Sequence, residues 1–383
     1  MPASPGKLSI LHLTAGSDAG GLSRYIHDVS CALRDLGHRV TIAGERGAWH
    51  WLFEKAKLDW IDVPLKGGPI KLFRSTRVLS EFLAKNPVDL LHTHYRRPTL
   101  VARRLQNLYR HPPILYTLHL SHLSLSPWRR PFSDFGDHSH VASEEALVWL
   151  RDDARVPSNR ITLLPHGIDI AKFPEARPHD RALARRSLGL ADTDIVAAYV
   201  GRLDHPKNED WLLDLASAWQ GGTGRQGGAA SQRLRILLAG EGPNEPDLRR
   251  RIASTGLQNK VSLLGHRDPL PVYQAADLLL LPSLREGFSL VTAEAMSVGT
   301  PVLRTRTAGT AGLVLENATG FATDISQSAF VSKALAVLSE PARLAEMRPA
   351  CASHIRARFS FPQQVEGTLA MYHRLISTSK AAG

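Results

Sequence analysis

Short apolar runs alternate with stretches of helical spacing along this 383-residue chain, and the alternation begins afresh in the middle. Leu8 to Leu13 reads as a buried strand. Leu22, Tyr25, Ile26, Val29 and Leu33 then recur at helical spacing until Gly37, and Val40 to Ala43 resumes a strand. Further strands are predicted at Ile61 to Leu65, Val88 to Tyr95, Ile114 to Leu120 and Ile161 to Pro165. Past Gly167-Ile168-Asp169 the pattern restarts at Ile195 to Val200, then Leu234 to Ala239, Val261 to Leu264, Leu278 to Pro282 and Pro301 to Arg304. Fully apolar strands joined by helices require a parallel sheet covered on both faces. Two doubly wound, Rossmann-like domains follow, divided at residues 1–168 and 169–360.

Composition narrows the class. Hydrophobic residues at 43% and charged residues at 22% supply ordinary cores. No run of eighteen uncharged apolar residues occurs, and the start, Met1-Pro-Ala-Ser-Pro-Gly-Lys, has no signal-peptide stretch, so cytoplasmic residence is expected. Cys31 and Cys351 lie far apart inside helical patterns and suit reduced core thiols. A formal charge of +11 calls for an anionic partner. The basic residues are scattered and lack an RNA-binding aromatic signature, which disfavours nucleic acid and leaves an anionic membrane surface or phosphorylated substrates.

Two strand ends carry the chemistry. Val196 to Val200 runs into Gly201-Arg202-Leu-Asp-His-Pro-Lys207-Asn208. Leu278 to Pro282 leads into Glu286-Gly287-Phe288-Ser289-Leu290-Val-Thr-Ala-Glu294, and a helix and then Gly299 follow. Loops at the carboxyl ends of parallel strands are where ligands bind, and a helix N-terminus presents unpaired N–H groups to anions. Arg202 offers a planar fork and Lys207 a mobile point charge, a complementary pair for a diphosphate.

Together these segments resemble the donor site of family 4 retaining glycosyltransferases, and the resemblance covers nearly the whole chain. It implies the GT-B architecture, two Rossmann-like domains facing across a donor and acceptor cleft, with the last helix, within 361–383, packing back on the first. It implies a nucleotide diphosphate sugar as donor. Arg202 and Lys207 would neutralise the leaving diphosphate, so that no metal or other cofactor is required. Glu286 would meet the transferred sugar and Glu294 the ribose, and eight residues of helix, rising about 12 Å, would set the two apart. Gly201, Gly287, Phe288, Ser289 and Leu290 belong to the same donor-facing loops. Gly20 and Gly21 stand in the turn after the first strand, Gly242 in the turn Gly240-Glu-Gly242-Pro243, and His266 and Arg267 where relatives hold the nucleobase through backbone. His119, at the end of Tyr116-Thr-Leu-His, is placed as a catalytic residue beside the sugar.

His92 and His94 share a strand face. That spacing suits a metal, but the sequence offers no third ligand. His94, Tyr95 and Arg96 are the acceptor candidates, with Arg97 beside them. The chain departs from the family at His166, where many relatives carry Asn, and at Ala308 to Gly312, which lacks the family's acid. The resulting expectation is a metal-independent retaining hexosyltransferase, UDP-sugar favoured and GDP-mannose next, acting on a saccharide or lipid-linked acceptor in bacterial lipopolysaccharide or exopolysaccharide synthesis. A catalytically silent sugar-nucleotide-binding scaffold and a nucleotide-sugar epimerase are the competing readings. Trp128-Arg-Arg-Pro-Phe132, with Leu120, Leu123 and Leu125, is the segment expected to meet the inner face of the cytoplasmic membrane, to cover the acceptor cleft or simply to pack on its own domain, and Gly221 to Ser231 is expected to be a surface loop.

Overall fold

The computed structural model describes residues 6–109, 112–119, 133–219 and 233–382. Trp128 to Phe132, with Leu120, Leu123 and Leu125, and the glycine-rich stretch 221–231 lie outside them. The chain divides into two compact units, Met1–His166 with Pro362–Gly383, and Gly167–Phe361.

The first unit is built from β1 (Ser9–Gly16), α1 (Gly21–Asp35), β2 (Arg39–Glu45), α2 (His50–Lys55), β3 (Asp59–Asp62), α3 (Pro69–Lys85), β4 (Leu90–Thr93), α4 (Arg96–Leu108), β5 (Ile114–Leu118), β6 (His138–Val141), α5 (Glu144–Val148) and β7 (Ile161–Leu163). The second holds α6 (Pro178–Ser187), β8 (Ile195–Val200), α7 (Trp211–Ala218), β9 (Leu234–Ala239), α8 (Glu245–Ser254), β10 (Val261–Gly265), α9 (Leu270–Ala275) and β11 (Leu278–Leu281). It continues through α10 (Leu290–Ser297), β12 (Val302–Thr305), α11 (Thr310–Leu313), β13 (Gly320–Thr323), α12 (Gln327–Leu338) and α13 (Pro341–Arg358). The closing helix α14 (Phe361–Ala382) groups with the first unit from Pro362 onward.

Both sheets are parallel throughout, in the orders β3-β2-β1-β4-β5-β6-β7 and β10-β9-β8-β11-β12-β13. Each order reverses once, between β1 and β4 and between β8 and β11, and such reversals open a crevice beyond the strands' carboxyl ends. The central strands are buried because both faces are covered: every residue of β11 and β12 is buried.

The sequence misplaced several boundaries. The strand expected at 61–65 lies at Asp59–Asp62, and that expected at 88–95 stops at Thr93, leaving Tyr95 to precede α4 and Arg96 to open it. Two strands escaped notice. β6 reads His-Ser-His-Val and β13 Gly-Phe-Ala-Thr, four residues each without an apolar run.

Candidate active site

The reversal between β8 and β11 brings the two motif-bearing loops side by side. Asn208 donates from Nδ2 to the Pro282 carbonyl at 2.9 Å, and the Leu284 amide donates to the Pro206 carbonyl at 2.8 Å. These bonds stitch the Lys207 loop to the Glu286 loop. Lys207 Nζ then donates to Glu286 Oε1 at 2.7 Å, and Ser283 Oγ donates to the same oxygen at 2.8 Å. The Glu286 side chain is only 13% exposed. Burial opposes its charge, but Lys207, Arg304 and the two hydrogen bonds together hold its carboxyl below the ordinary carboxylate range.

Arg304 was not anticipated. It lies in the buried strand β12, 1% exposed, and donates to Thr307 Oγ1 at 2.8 Å and the Ala308 carbonyl at 3.2 Å. The available signal was a lone cation within an apolar strand, which is rarely tolerated without a buried counter-charge.

Glycines let the neighbouring loops close. Gly201 has φ 157° and Gly240 φ 147°. A Cβ on Gly240 would lie 1.8 Å from the Gly201 carbonyl oxygen, and one on Gly242 2.2 Å from that of Leu203, so the two turns touch backbone to backbone. Gly309, at φ 76°, likewise sits where a Cβ would come within 2.7 Å of the Gly287 oxygen. The departing segment Ala308 to Gly312 therefore packs directly on the Glu286 loop.

The helix begins later than expected. Ser289 caps α10, with its hydroxyl accepting from the Thr292 amide at 3.4 Å, and only residues 290–297 are helical. Glu286, Gly287 and Phe288 thus lie in the loop, and the 12 Å helical separation of Glu286 from Glu294 does not apply. Glu294 is 7% exposed and accepts from the Tyr273 hydroxyl at 2.8 Å. Phe288 and Leu290 pack against the unit's hydrophobic core, which makes them supports of the loop. Arg202 is exposed and paired with Asp204, while His266 and Arg267 are exposed beyond β10, the His266 amide donating to Glu241 Oε1 at 3.2 Å.

In the first unit a row of histidines crosses the sheet at the other reversal. His12 of β1 stands opposite His92 of β4 in register. The tautomers follow from one carbonyl. His140, whose pKa burial lowers to about 4, must donate its Nε2–H to the Leu164 carbonyl, 2.7 Å away. Its bare Nδ1 accepts from the Thr117 hydroxyl at 3.0 Å, Thr117 accepts from His92 Nε2 at 2.7 Å, and His92 Nδ1 accepts from Tyr372 of α14 at 2.7 Å.

A second chain joins His12 Nδ1 to His94 Nε2 at 2.9 Å and His94 Nδ1 to His119 Nε2 at 3.1 Å. His94 is 1% exposed, with both nitrogens engaged by His12 and His119, so it is not open to an acceptor directly. His12, His92 and His94 place ligand atoms within 4.8 Å of one another. Yet Tyr372 and Thr117 occupy both nitrogens of His92, and of these three histidines' ring nitrogens only His12 Nε2 is buried without a partner, where a metal needs three ligands. Tyr95 is 41% exposed, Arg96 donates to Ser133 at 3.3 Å, and Lys66 pairs with Asp18 close by in the turn that also holds Gly20 and Gly21. Gly20, at φ 150°, caps α1, and Gly21 opens it.

Two sequence families cover most of this scaffold: residues 19–172 match Glycosyltransferase Family 4, and residues 194–340 match Glycosyl transferases group 1. The D-inositol 3-phosphate glycosyltransferase of Nocardia farcinica is 30% identical, over 93% of this chain and 85% of its own length. The chain belongs to the family 4 glycosyltransferases. The enzyme of the same name from Segniliparus rotundus is 32% identical over 93% of this chain and 84% of its own. In fold, this family 4 glycosyltransferase is similar to Anabaena Alr3699/HepE, solved in complex with UDP, with a TM-score of 0.82 at 21% identity over 96% of this chain and 100% of that one. It is thus a two-domain α/β enzyme of the GT-B fold that transfers sugars.

Proposed function

We propose that this glycosyltransferase takes its sugar from a nucleotide diphosphate sugar, with a UDP-sugar favoured, and transfers it with retention of configuration and without a metal. The observation that carries this reading is the Lys207–Glu286 pair at 2.7 Å on the β8/β11 reversal, beside the N-terminus of α10. A diphosphate entering there meets Lys207, the fork of Arg202 and the α10 amides, fixed positive groups aimed at the charge that develops on the leaving group. Glu286, held ionised, orients the sugar hydroxyls. Glu294, oriented by Tyr273, holds the ribose. UDP in the complexed Anabaena protein supports the choice of base.

Arg202 is turned to Asp204 and Lys207 to Glu286, so both cations are partly neutralised by carboxylates. The diphosphate therefore competes with these contacts, and Glu286 is freed to bind sugar as Lys207 engages phosphate.

On the first unit we assign contact with the sugar to His119, and acceptor binding to the region of Tyr95 and Arg96. The acceptor we favour is saccharide or lipid-linked, in envelope polysaccharide synthesis. A second reading, a small phosphorylated polyol, is favoured by the named relatives and by Lys66 and Arg96 near Tyr95. Thermal shifts with UDP, GDP, ADP and dTDP test the donor, since a nucleotide at 100 times its Kd stabilises by about 2.7 kcal/mol. A UDP shift well above the rest supports the reading. No shift with any nucleotide sinks it.

A further inference from the structure

We infer that the outward face of α3 docks this enzyme on an anionic lipid surface. Of the large apolar side chains among the described residues, Ile70 and Phe73 are the most exposed, at 86% and 66%, and both stand on this helix. Three residues apart, they project from the same face. The opposite face buries Leu79 and Leu83 in the unit's core, so the helix is anchored without them.

Charge surrounds the pair. Residues 63–80 contain Lys66, Lys71, Arg74 and Arg77 and no acid. Arg77 pairs with Glu81 at 3.2 Å, toward the middle of the helix, and Lys66 pairs with Asp18, while Lys71 and Arg74 have no acidic partner among the described residues. Cations in a first turn oppose the helix dipole, and α3 has neither an acidic residue there nor a side-chain cap. Helix stability therefore does not explain Lys71, the cation of that first turn. Two protruding apolar side chains ringed by uncompensated lysine and arginine suit a bilayer, where the side chains enter the headgroup boundary and the cations meet anionic lipid. A convex pair needs no matching pocket on a partner. Among the described residues no helix is long and apolar enough to cross a membrane, which fits attachment at the surface. Docking of this kind sets where the enzyme works and does not depend on the acceptor's identity.

Co-sedimentation of the full chain with vesicles of phosphatidylcholine, alone or mixed with phosphatidylglycerol, tests this at physiological salt. Binding is expected to the mixed vesicles and to be far weaker to the neutral ones. Lys71→Glu with Arg74→Glu should weaken it by about fivefold or more for each cation. Ile70→Ser with Phe73→Ser should weaken it by about tenfold or more. Because these side chains are exposed, both variants should keep the wild-type Tm and nucleotide affinity. Equal partitioning of the wild type into both vesicle types, or undiminished binding by both variants, overturns the inference. So does self-association by light scattering that the apolar variant abolishes while vesicle binding persists, since the face would then belong to a second copy of the chain.

Discussion

At the residue scale, the site rests on one cation and one carboxylate that each answer a need of the other. Glu286 is ionised with its side chain only 13% exposed, and Lys207 and Arg304 make that state tolerable. Lys207→Ala is expected to fold, retain Glu286 beside Arg304, and lose turnover by about a hundredfold or more, because in the proposed role Lys207 acts mainly where charge develops. Single-turnover kinetics on a variant with a confirmed melting transition checks this, and near-native rates contradict it. His94 is different in kind. It touches His119, to which we assign contact with the sugar, and on that assignment His94→Leu should lower turnover by about tenfold with nucleotide affinity unchanged, while His94→Asn, which keeps a polar partner for His119, should recover part of the loss. Equal losses in both variants would leave His94 a packing role only. Lys207 and Glu286 were legible as residue types in loops at strand ends. Arg304 was not, because its partner lies 18 positions earlier in the chain and periodicity carries no such information.

At the element scale, what positions the site is the reversal of strand order, and the sequence showed the strands without their order. The apolar runs of β8, β9 and β11 were recognised to within a residue or so, since burial on both faces leaves an unbroken hydrophobic stretch. β6 and β13 were missed because four-residue strands with polar or small residues resemble loops. The late start of α10 was hidden as well, Ser289 being one of several residues able to cap a helix there. Loop contact makes a prediction. Gly240→Ala must move either its own turn or Gly201, and should destabilise the C-terminal unit by about 2 kcal/mol or more and weaken nucleotide binding. Gly312→Ala in α11 meets no atom within 4 Å and should be neutral or slightly stabilising. Urea unfolding monitored in both variants separates them, and similar effects would contradict the close approach.

At the scale of the whole molecule, the two units should differ in their response to acid. Burial lowers His12 and His119 to about 3 and His140 to about 4, and holds His92, His94 and His166 well below the ordinary range. The unfolded chain takes up these protons near pH 6.5. Stability from the neutral histidines is therefore full above about 6.5 and is lost as pH falls from there to about 4 for His140 and about 3 for His12 and His119. His27, raised to about 9 by its hydrogen bond with Asp28, works oppositely: its contribution is full below about 6.5 and fades as pH rises through 9. Hydrogen exchange at pH 7 and pH 5 should show protection falling first in residues 6–109 and 138–166. Earlier loss in the C-terminal unit, where His354 is partly exposed, would contradict this.

The most direct measurement is sugar release and transfer from the best-bound nucleotide sugar in excess chelator, by wild type and Lys207→Ala side by side. Wild-type turnover that survives chelation and falls by about a hundredfold or more in the variant is the predicted result. Turnover that chelation abolishes and magnesium or manganese restores, or that Lys207→Ala leaves intact, would contradict a diphosphate held by this site's own cations.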